Sequence, residues 1–239
     1  MVYANSKGMK SIIIDHHKVD DELPECFAHI NPSRDEDNSG LNDLAAVGLT
    51  FIFIVGLRRE IRNKDIFPEI NEPSLKQFLD LVALGTVCDV VKLKGLNRAF
   101  VKEGIDIIAK KPRPGIEGLK SISGSKDIGV SELGYRIGPR INAAGRTGAS
   151  DLGFRLLTSS NEDEVLAISE RLNNLNQQRQ NIEETVLFDA INDVEKKLND
   201  KKLNTFPCCV IVSGENWHLG VLGIVASRLK EKYYRPCLL

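Results

Sequence analysis

Asp15, His16 and His17 follow an apolar run, residues 11–14, without a break in the stretch "SIIIDHHKVDD". Folding alone asks only for a turn at that point, whereas one carboxylate and two imidazoles offer chemistry. Neutral imidazole and carboxylate together suit divalent ions, and one imidazole beside several carboxylates suits manganese or magnesium better than zinc. Successive residues of an extended strand point to opposite sides, so His16 and His17 are expected to do different jobs, one as ligand and one meeting substrate. A second carboxylate, Asp89, stands between Val87, Cys88, Val90 and Val91 in "LGTVCDVV". Burying it unpaired would cost on the order of several kcal/mol, a cost that a bound cation removes. Each feature also has a plainer explanation, an ordinary polar turn for the triplet and a surface aspartate at a strand end for Asp89. Both lie beside apolar runs that a parallel sheet would deliver to one edge, and that shared placement favours a common site.

The elements that must position these residues alternate between strand-like and helical patterns. This predicts an α/β fold with a mostly parallel sheet. The first strand falls at 11–14, and helices are expected over 41–63, with Asn42 or Asp43 as cap, and over 97–110. Between them, 73–93 begins as a helix at Pro73 and passes through Gly85 and Thr86 into a short apolar stretch around Asp89. From 161 to 200, apolar residues including Val165, Ile168, Leu172, Val186, Ala190 and Val194 recur at three- and four-residue steps, with Ser160 placed to cap the start. This is either one helix roughly 60 Å long, joining two bodies, or two helices broken near "NNLNQQRQN". Beyond it, 206–213, 220–233 and the terminal "RPCLL" predict strand, helix and strand.

Bulk properties narrow the field. A chain of 239 residues, 42% hydrophobic and 27% charged, can build one large domain or two small ones. No apolar run approaches the roughly 20 residues of a spanning helix, and the N-terminus lacks a secretory pattern, so the expected location is cytoplasmic, with no membrane partner. Five cysteines without C-x-x-C spacing argue against a disulfide framework and a structural zinc site. With a net charge of -1, contact with nucleic acid must come from a local basic face.

Six segments occur in a telling order: "IIIDHH", "HINPS" at 29–33, "LAAVGLTF" at 44–51, "LVALGTVCDVV" at 81–91, "GYRIGPRINAAGR" at 134–146 and "NWHLGVLGIVASRLKE" at 216–231. In this set the chain resembles the single-strand-specific DNA exonucleases of the DHH phosphoesterase superfamily, over essentially all its residues. The triplet alone is a weak signal; "GPRINAAGR" and "NWHLGVLGI" are specific to that branch. The resemblance implies a DHH domain portion at 1–158, a connecting helix at 159–203 and the start of a nucleic-acid-binding DHHA1 domain at 204–239. It makes His16 and Asp89 metal ligands, places His17 near the scissile phosphate and has Asp15 support the site. It further implies two manganese or magnesium ions that activate water for attack on a phosphodiester. Cys88 replaces the alanine usual in that segment, which leaves ligation intact and is expected to add sensitivity to oxidation.

The same resemblance puts Arg140, Asn142 and Arg146 by the active-site groove, and Trp217 and His218 at the lip of the DNA path. Arg136 fits a helix-end cap better, Trp217 suits a core anchor equally well, and His29 is expected to be a satisfied structural histidine. The implied activity is metal-dependent 5′-to-3′ digestion of single-stranded DNA in repair and recombination. The implied partners are single-stranded DNA and a single-strand-binding protein or helicase, with the chain itself monomeric. The aspartates that this branch carries ahead of its D-H-H strand do not occur here, so the chain is expected to be an internal fragment or a degraded gene product, with little or no nuclease activity by itself. Two rivals remain, a small-substrate phosphodiesterase or pyrophosphatase and a non-catalytic nucleic-acid-binding homologue.

Overall fold

The apolar triplet at 12–14 forms a strand because three successive β-branched isoleucines pack well on a pleated surface. In the computed structural model, which describes residues 1–19, 22–66, 71–146, 149–200 and 206–239, it follows a short helix α1 (Val2–Ser6). This strand β1 (Ile12–Ile14) pairs in parallel with β2 (Ala28–Ile30), in the register Ile12 to Ala28 and Ile14 to Ile30. The following helix α2 (Ala46–Asn63) starts later than expected and uses neither Asn42 nor Asp43 as a cap. Leu44 and Ala45 are buried, Ala45 is extended, and the Leu44 amide closes a turn on the Leu41 carbonyl. Burial of this corner therefore holds the chain out of helix until Ala46.

A 3-10 turn (Leu75–Phe78) leads into α3 (Leu79–Cys88), followed by α4 (Gly95–Lys110), α5 (Pro114–Ser123) and a single turn α6 (Val130–Glu132). The helix expected to give way near Gly85 and Thr86 to a short apolar stretch around Asp89 instead runs to Cys88, with Asp89 as its C-cap. Leu79, Asp80, Val82, Ala83, Leu84, Thr86 and Val87 are all buried, so this helix is covered on nearly every side. That removes the periodicity by which helix and strand are told apart. Two glycines allow the tight packing. A Cβ at Gly104 of α4 would stand 2.2 Å from the Leu79 carbonyl oxygen, and one at Gly85 would stand 2.7 Å from Val47 of α2. Asp80, buried at the start of α3, is gripped by Arg113 through Nε at 2.8 Å and Nη2 at 3.2 Å.

A π-helical turn (Leu133–Ile137) runs directly into α7 (Gly138–Arg146), with Leu133 and Ile137 buried beside Ile116 and Leu119 of α5 in the core. The described residues divide into two compact units, Met1–Gly138 and Pro139–Leu239. In the second, α8 (Asp151–Thr158) packs on α9 (Glu162–Asp200), a single unbroken helix of 39 residues and about 58 Å. Its cap is Asn161, whose side-chain oxygen accepts the Glu164 amide, rather than Ser160. Farther along, β3 (Val210–Ile211), α10 (Leu219–Tyr233) and β4 (Cys237–Leu238) form a parallel β-α-β turn. Val186, Ala190 and Val194 of α9 share a core with Val210, Val221, Val225 and Leu229. Glu183, with its side chain 2% exposed, receives Arg179 from its own helix and Arg228 from α10. The fold is thus α/β with parallel strand pairs, as expected, though its strands are short and helices dominate. No helix among the described residues is long and apolar enough to cross a membrane.

Candidate metal site and nucleic-acid-binding residues

The parallel register sets the level of the site. Because Ile14 pairs with Ile30, the next residues, Asp15 and Asn31, leave their strands side by side, and the Asp15 amide donates to the Ile30 carbonyl. Asp15 turns its carboxylate back on the chain. Its Oδ1 accepts the His16 amide at 2.8 Å, the His17 amide at 3.3 Å and lies 2.7 Å from the His17 ring Nδ1. Partial burial works against ionisation, yet the hydrogen bonds from the His17 ring and the two amides outweigh it and hold the Asp15 carboxyl below the usual range. Asp15 therefore orients His17.

Two further residues, just beyond β2, hold the triplet in place. The Asn31 amide donates to the His17 carbonyl at 3.0 Å, and the Ser33 hydroxyl donates to the His16 carbonyl at 3.1 Å. Neither carried a role in the sequence reading, although both lie in the "HINPS" segment. Parallel pairing with "IIIDHH" was the signal that could have singled them out.

His16 and Asp89 meet. The His16 Nε2 lies 3.2 Å from the Asp89 Oδ2, with the imidazole largely covered and the carboxylate more open. Asp89 arrives from the C-cap of α3, not from a strand edge, because the preceding apolar run is helical. A carboxylate beside the outward-facing carbonyls of a helix C-terminus is electrostatically unfavourable unless a cation compensates it. Ligand atoms of Asp15, His16 and His17 also lie within 4.8 Å of one another. One imidazole nitrogen with carboxylate oxygens at the negative end of a helix fits manganese or magnesium.

Val90, directly after Asp89, has φ of 57°. A β-branched residue in the left-handed region is strained, at a cost of order 1–3 kcal/mol, at a position where helices commonly place glycine. Cys88 points the other way, its Sγ 3.9 Å from the Leu133 carbonyl and against Gly138, where a Cβ would come within 2.5 Å of the sulfur. Burial, reinforced by the neighbouring Asp89 charge, pushes this thiol up to about 11. Oxidation needs thiolate, so the expected sensitivity at Cys88 is not supported by its surroundings.

In "GYRIGPRINAAGR", Arg136 donates to the Ser123 carbonyl at the end of α5, the helix-capping role expected of it. Arg140 donates through Nε to Asn173 of α9 at 3.1 Å, and Asn142 is exposed. Arg146 ends α7, and its side chain lies outside the described residues. Trp217 packs so closely over Gly214 that a Cβ there would lie 2.2 Å from the indole, and it borders the core of the second unit. His218 caps α10, its Nδ1 accepting the Gly220 amide at 3.0 Å. Both side chains thus have local structural work. His29 departs from expectation, since its buried Nδ1 has no hydrogen-bond partner among the described residues.

Residues 1–86 match the DHH family, N-terminal domain. The chain is 39% identical to the single-stranded-DNA-specific exonuclease RecJ of Escherichia coli over 241 residues, covering 99% of this chain and 41% of that protein. It is 31% identical to RecJ of Bacillus subtilis, covering 98% of this chain and 28% of the relative. Among solved structures, RecJ of Thermus thermophilus in complex with Mn2+ superposes with a TM-score of 0.78 at 30% identity, over 97% of this chain and 32% of that one. An exonuclease RecJ bound to manganese gives 0.77 at 30% identity, over 98% and 55%. The chain spans about two fifths of the length of the Escherichia coli relative.

Proposed function

We propose that this chain, with a DHH-family domain in its first 86 residues and similarity to RecJ along its length, is part of a metal-dependent, single-strand-specific DNA exonuclease of repair and recombination. The observation that carries this reading is the 3.2 Å approach of His16 to Asp89 from two separate elements. His16 and Asp89 would hold manganese or magnesium; the ion supplies activation of water and charge stabilisation on phosphodiester oxygens when bound. Asp15 fixes the ring of His17, which is then positioned to meet the scissile phosphate. Arg140, Asn142, Arg146, Trp217 and His218 are assigned to the nucleic-acid path by resemblance. For Arg140, Trp217 and His218 the local contacts described above favour positioning roles. Residues 1–158 would then be the DHH portion, 159–203 the connecting helix and 204–239 the start of DHHA1. Digestion from 5′ to 3′, a cytoplasmic location, a monomeric state and contact with a single-strand-binding protein or helicase complete the proposal.

Two protein ligands hold a divalent ion weakly, so metal binding is a more direct test than turnover. Calorimetry with Mn2+ is expected to give weak binding that His16→Ala and Asp89→Asn each abolish. Degradation of labelled single-stranded DNA by the 239-residue chain should be slow or absent. Unchanged Mn2+ binding in both variants would overturn the site. Robust digestion that survives His16→Ala would overturn the mechanism.

A further inference from the structure

The segment after Asp89 builds something the metal site does not need. An open groove of about 260 Å³ is lined by Val87, Cys88, Val90, Val91 and Leu93 together with Val130, Ser131, Gly134 and Tyr135. Val90 and Tyr135 are 87% and 83% exposed, an uncommon state for a valine and an aromatic ring facing one depression. Both owe their exposure to irregular backbone. Val90 sits in the left-handed region, and Tyr135 lies in the π-helical turn between buried Leu133 and Ile137. Strained residues and π turns both concentrate at functional sites.

The geometry points to a nucleobase subsite: Tyr135 is a stacking platform and Val90 a wall for one base of a single strand whose phosphodiester lies at His16 and Asp89. The inference rests on the proposed nuclease reading and adds to it where a base goes. Three observations select this occupant. The groove is smaller than the about 300–1,000 Å³ of sites that enclose a whole ligand, which suits one base of a longer chain. It lies next to the candidate metal site along the chain: Asp89, not itself a lining residue, stands between the lining residues Cys88 and Val90. Exposed Lys92 and Lys94 flank Leu93, offering positive charge to a backbone beside an apolar slot; Lys92 is tied only loosely, at 3.6 Å, to Asp43. Every base has a π face, so such a subsite accepts any base and discriminates against a paired one, whose faces are covered by its neighbours in the duplex.

The test uses the whole chain and a short, hydrolysis-resistant phosphorothioate single strand with the fluorescent base 2-aminopurine at one end or the other, in Mn2+. Stacking on Tyr135 is expected to quench the probe at one end, and Tyr135→Phe to keep the quench. Tyr135→Ala should abolish it and weaken binding about tenfold, as should an abasic residue at that end. Val90→Gly should raise the melting temperature, by relieving the left-handed valine, and yet weaken binding. Mn2+ affinity, measured alongside by calorimetry, is expected to stay unchanged in Val90→Gly, which separates a lost base contact from a loosened Asp89. Quenching that persists in a folded Tyr135→Ala protein overturns the subsite, as does binding indifferent to the abasic end. Both results leave Mn2+ binding at His16 and Asp89 untouched. Absence of any single-strand binding alongside intact Mn2+ binding overturns the subsite and the nuclease reading together. A dimer, seen by light scattering, that Tyr135→Ala dissolves would assign the groove to self-association instead.

Discussion

Gly138→Ala is expected to destabilise the chain and loosen the candidate metal site together, and the effect should depend on Cys88. Gly138 has helical backbone angles, φ -54° and ψ -49°, so by propensity alone alanine would stabilise by roughly 0.5–1 kcal/mol. The packing reverses that sign. The new Cβ would stand 2.5 Å from the Cys88 sulfur and 3.0 Å from the Leu133 carbonyl oxygen, and both neighbours belong to the buried join of α3 and the π turn. Overpacking of this kind costs about 1–3 kcal/mol, leaving a net loss of about 1–2 kcal/mol and a melting temperature lower by about 2–8 °C. Cys88→Ala removes the closer contact, so Gly138→Ala should be nearly neutral in that background, a coupling of about 1–2 kcal/mol. Urea unfolding of the four proteins measures the cycle. Because Cys88 immediately precedes Asp89, Mn2+ affinity by calorimetry should fall in the single Gly138→Ala variant and recover in the double. Equal losses from Gly138→Ala with and without the sulfur would refute the proposed clash.

Arg113→Ala should cost about 3–5 kcal/mol in urea unfolding, since it strands the Asp80 carboxylate, 4% exposed, without its forked partner. Replacing both by apolar residues of similar volume should cost far less, because it is the unpaired buried charge that destabilises. The start of α9 should weaken in acid. The Ser159 hydroxyl and then Arg155 hold the Glu164 carboxyl below its ordinary value, so its contribution is present above about 4.5 and is lost as pH falls through the folded value. Glu164→Gln should flatten that part of the helical melting profile measured by circular dichroism. An unchanged acid limb in the variant would refute the assignment.

Sequence order and residue type were enough to single out the candidate site. "IIIDHH" pointed to a strand ending in candidate ligands, because three successive β-branched residues favour a pleated surface. The 161–200 pattern pointed to helix and left open one long helix or two; the structure shows one unbroken helix, Glu162–Asp200. The candidate ligands His16 and Asp89, 73 positions apart, were singled out by resemblance and by the cost of a carboxylate among valines, and the fold brings them within 3.2 Å. What only tertiary structure decided is how they arrive and what surrounds them. Asp89 comes from a helix end, not a strand, since a helix buried on every side carries no periodicity to read. Asn31 and Ser33 became clamps only through the register of a second strand, and the close packing of Cys88 on Gly138 appeared only in the fold. Such contacts depend on which distant backbone comes close, a property of the packed chain that local residue order does not encode.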